Sequence, residues 1–393
     1  AKVFTILLGF TVNEFPAGHY MTETMDAPVQ WYTALNKTVV SSRAPDPFII
    51  RHLLTTSVTK RMMSDVPFGV LLSGGLDSSL IAAIASRAMK KIGSNIHTFS
   101  VGMENAPDLI AARSVATHIG SIHHEFVITR DDVIACISDA IWHVETFDVA
   151  TVRSAIPMIL MSRKIKELGF KMVLDGDGSD EIFAGYEYNK YAPDHIQLHK
   201  ESLRKVKSLS RYDCKRANHA TMAGGVECRC PFLDKALVDY VMNECDPKYK
   251  MFVVGATPTT TPPFHIEKYI LRNAFADGDW LPESILMRSK IQFSAGCGND
   301  LINSLIAHGN QNVSDDEWQN AAVTFPVKTP LSREAYYYRK IFESKFGPEF
   351  IGIVSYERSL NCSTAEAICW FPEEIRSCMD PCGIAFGSTT TNV

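Results

Sequence analysis

The sequence predicts an α/β fold, with a mainly parallel sheet covered by helices on both faces and a mostly helical C-terminal region after it. Three observations carry this. From residue 66 short apolar runs alternate with longer runs of helical periodicity; after about residue 190 the strand signal fades; and 393 residues, 46% apolar and 21% charged, suffice for a large core.

The elements follow in order. Residues 1–65 read as a strand pair, "FTILLGFTV" and "HYMTE", and a helical approach, "DPFIIRHLLTTSVTKRMM". "VPFGVLL" is a buried strand, and "LDSSLIAAIASRAMKKI" carries apolar residues at helical spacing. "IHTFSVGM" is the next strand. "PDLIAARSVATHIG" is a helix opened by proline and closed by glycine, and "HHEFVIT" a strand. Two helical runs, "DDVIACISDAIWHVE" and "IPMILMSRKIKELG", lead to the strand "FKMVLDG". Beyond it "SLRKVKSLSRYDCKRANHATMAGG", "KALVDYVMNE" and "FHIEKYILRNAFADG" read as helices, and "GATPTTTPPF" as a loop by composition. The last thirty residues carry little periodicity, and no internal repeat is visible.

Composition narrows the partners. A net charge of −5 without a long basic run speaks against nucleic acid and membrane surfaces, leaving a small metabolite as the expected ligand. "VFTILLGF" is too short to span a bilayer. Ten cysteines spread along the chain suit reduced thiols and a cytoplasmic setting. The closest groupings, Cys228-Arg-Cys230 and Cys378-Met-Asp-Pro-Cys382, lack zinc-knuckle spacing and a nearby histidine, so they read as free thiols.

Two stretches carry chemistry. In "VLLSGGLDSSL" a buried strand runs through Ser73-Gly74-Gly75-Leu76-Asp77-Ser78-Ser79 into a helix. Gly74 and Gly75 let backbone N–H groups approach an anion, Ser73, Ser78 and Ser79 add hydroxyls, and the helix directs its positive end to the same point. Asp77 beside a phosphate calls for a bridging cation, for which Mg²⁺ is suited. Neither the P-loop nor the dinucleotide fingerprint is present. The second stretch, "VLDGDGSDEIFAGY", places Asp175, Asp177 and Ser179 at positions 1, 3 and 5 of a calcium loop. That template fails where it needs glycine and a closing glutamate, because those positions hold Asp180 and Tyr186.

The first loop resembles the pyrophosphate-binding loop of N-type ATP pyrophosphatases. Within them the chain is similar to the synthetase domain of glutamine-hydrolysing asparagine synthetases, from about Glu14 to the tail. The carriers are "EFPAGHY", "MSDVPFGVLLSGGLDSS", "FSVGM", "PDLIAARSVATHIG", "ETFDVATVRSAIPMILMSRKIKELGFKMVL", "GSDEIFAGY", "YDCKRAN", "RCPFLDK", "EKYILRNAF", "KIQFSAG" and "EAYYYRKIFE". The resemblance implies an adenine nucleotide alpha hydrolase-like core at 36–190, a helical region and tail at 191–393, and, at 1–35, a remnant of the link that follows a glutaminase domain. It implies that ATP adenylates the side chain of aspartate, pyrophosphate leaves, and ammonia attacks the β-aspartyl-adenylate to give asparagine and AMP. By the same resemblance Asp77 and Asp180 are magnesium carboxylates, Lys290 contacts the phosphates, and Leu72, Val101, Asp175 and Gly176 frame the nucleotide. Thr151 and Arg153 stand near the aspartate, where an arginine suits a bidentate clamp.

Departures matter as much. Asp177 stands where the family carries a catalytic glutamate, one methylene longer, and Asp175 replaces a serine or threonine, adding charge beside the phosphates. Ala150, Ile291 and Ala295 replace polar residues near the expected site. The chain opens Ala1-Lys2-Val3 instead of with the cysteine that glutamine hydrolysis requires, so either ammonia is used free, or it arrives from a glutaminase domain or subunit, or the sequence is a piece of a longer chain. "PCGIAFG" at Cys382 is a chance likeness to that amino-terminal signature. Two alternatives stay open: a non-catalytic relative that binds nucleotide or a partner, and a β-lactam-forming relative with another acceptor. A homodimer is also left open.

Overall fold

The computed structural model describes residues 15–36, 40–254, 264–352, 354 and 365–376. The expected strand "FTILLGFTV", nearly all of the loop "GATPTTTPPF", Cys378, Cys382 and "PCGIAFG" lie outside them.

Five parallel strands form the central sheet: β1 (Phe68–Leu71), β2 (His97–Gly102), β3 (Ile122–Val127), β4 (Met172–Leu174) and β5 (Glu227–Arg229), in the order β3-β2-β1-β4-β5. The register is continuous, with Val70 opposite both Thr98 and Leu174, and Val173 opposite Cys228. Strand order reverses at β1 and β4, the place where open α/β sheets bind ligands at their carboxyl ends. Both chemistry-bearing stretches emerge there: the serine-glycine loop from β1 and the acidic stretch from β4.

Local sequence explains the intervening helices. α1 (Pro47–Arg61) starts with proline behind Asp46, whose carboxylate accepts from Phe48 N–H. α2 (Leu76–Lys90) follows Gly75 with no side-chain cap, leaving its first amides available. α3 (Pro107–Ile119) ends on Gly120 at φ +65°, where a Cβ would be unfavourable. α4 (Arg130–Val144) opens with a Thr129/Asp132 capping box, and α5 (Val149–Glu167) behind Asp148, which accepts from Thr151 N–H.

Two apolar cores separate the layers. One joins β2 and β4 to α4, α5, α8 (Asp213–Met222), α10 (Asn299–Asn312) and α11 (Arg333–Phe346). The other joins β1 to α1, α2, α3 and α9 (Tyr269–Ala274). Helices therefore cover both faces, as the alternation predicts. Among the described residues no helix is long and apolar enough to cross a membrane.

Three details differ from the sequence reading. The run over residues 202–225 is not one helix: α7 (His195–Ser208) stops, and the backbone breaks at Tyr212, φ −122° and ψ −100°, before α8. Phe264–Ile266 of "FHIEKYILRNAFADG" is a strand paired with Phe252–Val254, and the helix begins only at Tyr269. A fifth strand, Glu227–Arg229, lies on the sheet beyond residue 190, where no strand was expected.

Candidate active site

The cleft at the carboxyl ends of β1 and β4 encloses about 1000 Å³, mouth included. Gly74, at φ +72°, makes the turn behind it, and a Cβ there would lie 2.5 Å from the Ala111 carbonyl carbon. Ser73 and Ser78 brace the loop through an Oγ–Oγ hydrogen bond of 3.0 Å. Leu72, Ser73, Gly75, Asp77, Ser78, Val101, Asp175, Gly176, Asp177, Asp180 and Lys290 line the cleft, so the structure brings most of the expected residues together. Gly74 and Ser79 do not line it: Gly74 forms the turn, and Ser79 is fully buried with an Oγ that has no partner.

At the floor, α2 supplies Asp77 and α6 (Ser179–Phe183) supplies Asp180. They converge on Lys268: its Nζ lies 2.5 Å from Asp77 Oδ2 and 2.6 Å from Asp180 Oδ1. Ser179 Oγ donates to Asp77 Oδ1 at 2.7 Å, and Lys290 Nζ stands 2.7 Å from Asp180 Oδ2. Burial alone would raise the Asp180 pKa, yet Lys268 and Lys290 together hold it below the usual carboxylate range. Burial would lower that of Lys290, but Asp180 and Asp77 keep it above its ordinary value. Each charge therefore stays charged because its partners are fixed.

Further cations line one wall. Arg272 Nη2 holds Glu267 Oε1 at 2.6 Å, and the same oxygen accepts from Lys290 N–H at 2.9 Å, fixing the loop that carries Lys290. Arg288 donates to Asp108 at 2.9 Å. Met158 and Met161 of α5 and Phe293 supply apolar surface. Sequence reasoning missed Lys268, Arg272, Arg288 and Arg216.

Arg216 of α8 governs the acidic stretch, with Nη2 3.3 Å from Asp177 Oδ2 and Nη1 2.6 Å from Asp213 Oδ1. Burial, then Asp175, push the Asp177 pKa up, and Arg216 only partly offsets them. Burial likewise raises Asp175, which accepts from Cys228 Sγ at 3.6 Å. Cys214, Cys228 and Cys230 are free thiols hydrogen-bonded in a row that ends on this carboxyl.

Behind the row, Glu181 accepts from the Tyr186 hydroxyl, and the Lys205 ammonium lies 4.3 Å from the Tyr186 ring centre. Burial and then Asp213 raise the Glu181 pKa from 4.5 to about 7. Between those two values the folded chain holds a proton that the unfolded chain has released, so this group's contribution to stability falls as pH rises through that window. Glu181→Gln is expected to flatten the drop in melting temperature between about pH 5 and pH 8. Parallel curves for the two proteins would show that Glu181 keeps its ordinary pKa.

The two residues expected near the aspartate, Thr151 and Arg153, are not among those lining the cleft. Thr151 lies in the first turn of α5, its Oγ1 donating to the capping Asp148 at 2.7 Å, and does not line the cleft. Arg153 was expected to clamp a substrate carboxylate. It is instead 1% exposed and bound bidentately by Glu334 of α11, with Nε–Oε1 2.9 Å and Nη2–Oε2 2.5 Å. Of the substituted positions, Ile291 lines the cleft, while Ala150 and Ala295 pack on the core.

An open parallel sheet with paired acids and lysines at its reversal point defines a doubly wound α/β protein built to hold a charged ligand. The asparagine synthase family model matches residues 49–197 and 191–351, and the chain belongs to that family. It is 47% identical over 367 residues to glutamine-hydrolysing asparagine synthetase 3 of Arabidopsis thaliana, covering 91% of this chain and 62% of that protein. To the glutamine-hydrolysing asparagine synthetase of Triphysaria versicolor it is 46% identical over 381 residues, covering 94% and 64%. The root enzyme of Pisum sativum is 47% identical over 366 residues, covering 91% and 61%. The chain thus spans somewhat under two thirds of the length of these relatives.

Proposed function

We propose that this chain, with residues 36–393 as its synthetase unit, is an ATP-dependent carbon–nitrogen ligase of asparagine biosynthesis. It adenylates the aspartate side chain, releases pyrophosphate, and lets ammonia, free or from a glutaminase, displace AMP. The observation that carries the reading is the convergence of Asp77 and Asp180, a hundred residues apart, on one ammonium beside Lys290.

Each residue has a task in this scheme. The backbone N–H groups of Leu76, Asp77 and Ser78 at the uncapped start of α2 donate to phosphate oxygens. Lys290 carries positive charge to the oxygen between the α- and β-phosphorus atoms, which takes up charge as pyrophosphate leaves the α-phosphorus and where a fixed cation lowers the barrier most. Lys268 already stands in for a cation between Asp77 and Asp180, so these two carboxylates suit Mg²⁺ and would hold it. The chemistry that Mg²⁺ supplies when bound is neutralisation of the charge developing on the leaving group. An Asp177 carboxylate oxygen accepts the proton shed by the attacking nitrogen, with Arg216 holding the side chain in place. Leu72 and Val101 frame the base. Asp175 adds negative charge that the neighbouring cations must offset.

Pyrophosphate release from ATP, aspartate, Mg²⁺ and ammonium tests the reading. A chain that binds ATP without turnover would sink it and favour the second reading, a non-catalytic relative. The observation behind that second reading is Asp177, shorter than the family's glutamate and held by Arg216. Asp177→Glu is expected to raise the rate by on the order of ten- to a hundredfold, since an ångström of misplacement carries a cost of that size. An unchanged rate would show that the lost methylene is not limiting.

A further inference from the structure

Lys268 is placed with unusual care. It is 2% exposed and sits at φ +56°, a backbone region that residues with a Cβ rarely adopt. Its side chain passes Gly185, where any Cβ would collide with Lys268 Cε and Asp180 Oδ1. These devices deliver one ammonium to the point between Asp77 and Asp180. With it in place every carboxylate oxygen of the pair is engaged: Asp77 Oδ1 by Ser179, Asp77 Oδ2 and Asp180 Oδ1 by Lys268, Asp180 Oδ2 by Lys290.

We infer that Lys268 is a tethered cation that occupies the metal seat of the nucleotide-free chain, so that a divalent cation is admitted only together with a polyphosphate. This rests on the proposed role of Asp77 and Asp180 as magnesium carboxylates. A free divalent cation would have to break both Lys268 contacts and settle beside two ammonium groups, without gaining a carboxylate that is not already neutralised. A polyphosphate changes that balance, because its oxygens offer the ammonium groups a new partner as the metal takes the carboxylates. Lys268 is thus a positioning residue that keeps the acids together when no ligand is bound and couples metal entry to nucleotide entry.

Titration of the nucleotide-free chain with Mn²⁺, reading free ion by electron paramagnetic resonance, tests this without any turnover. Wild type and Lys268→Arg are expected to take up no Mn²⁺ at the site. Lys268→Gln is expected to gain a single Mn²⁺ site at least about tenfold tighter than any other binding by the wild-type chain, about 1.4 kcal/mol, which is lost when Asp180→Asn is added. If Lys268→Gln gains nothing while folded by circular dichroism, the inference is overturned. It is equally overturned if wild type binds Mn²⁺ without nucleotide in a manner that Asp180→Asn abolishes, a comparison that holds whether or not Lys268→Gln folds. Absence of pyrophosphate release would sink the activity proposed above and leave this measurement unaffected.

Discussion

Lys290→Ala is expected to lower pyrophosphate release by about 10²–10³-fold, the usual effect of deleting one fixed donor aimed at developing charge. The geometry makes the loss specific. Lys290 is partly exposed to the cleft, Asp180 grips it at 2.7 Å, and Glu267 anchors its backbone N–H at 2.9 Å. Removing the ammonium leaves Asp180 with Lys268 at its other oxygen, so the acid pair stays closed and the fold should persist. Lys290→Arg is expected to recover little, because a planar fork does not reproduce a compact point charge. Steady-state rates at saturating ATP decide the matter, and an alanine variant within threefold of wild type would remove Lys290 from the chemistry.

The other large effect is on stability. Arg153→Met is expected to destabilise the chain by ~3–5 kcal/mol, the cost of stripping the partner from a buried charge. Glu334 is 2% exposed and would retain the Tyr338 hydroxyl at 2.8 Å without the guanidinium that neutralises it. The pair joins α5 to α11 across the core that also packs Tyr338 and Phe342. Denaturant midpoints measure it. A variant of near wild-type stability with a raised KM for aspartate would instead return Arg153 to the substrate.

The physical reason for what was legible lies in where each signal is stored. β1, β2 and β4 are buried on both faces, so their apolar runs stand out, whereas Glu227–Arg229 is short, polar and at the sheet edge, and nothing local marks it. The serine-glycine loop and the acidic stretch are contiguous, so their chemistry can be read from a few residues. Lys268 meets Asp77 and Asp180, and Arg216 reaches Asp177 as well as its near neighbour Asp213, so a cation in "EKYILRNAF" or "YDCKRAN" carries no sign of the remote carboxylate it meets. Arg153 carries a sign of its own. It falls on the buried stripe of α5 with Val149, Val152 and Ile156, where a charge needs an internal partner.

The join at Lys268 also has a bearing on how the molecule is assembled. Its bond to Asp77 spans 191 residues of sequence, and the segment that delivers it follows the completed five-stranded sheet. Contacts so remote form late, after the loop-closure entropy has been met by the rest of the structure. A nascent chain would therefore own its sheet and both acids before it owned the cation between them, and for that interval two like charges would face each other unneutralised. Release of that repulsion rewards docking of the segment that carries Lys268, which makes the polar centre a latch between the sheet and the helical region that follows it.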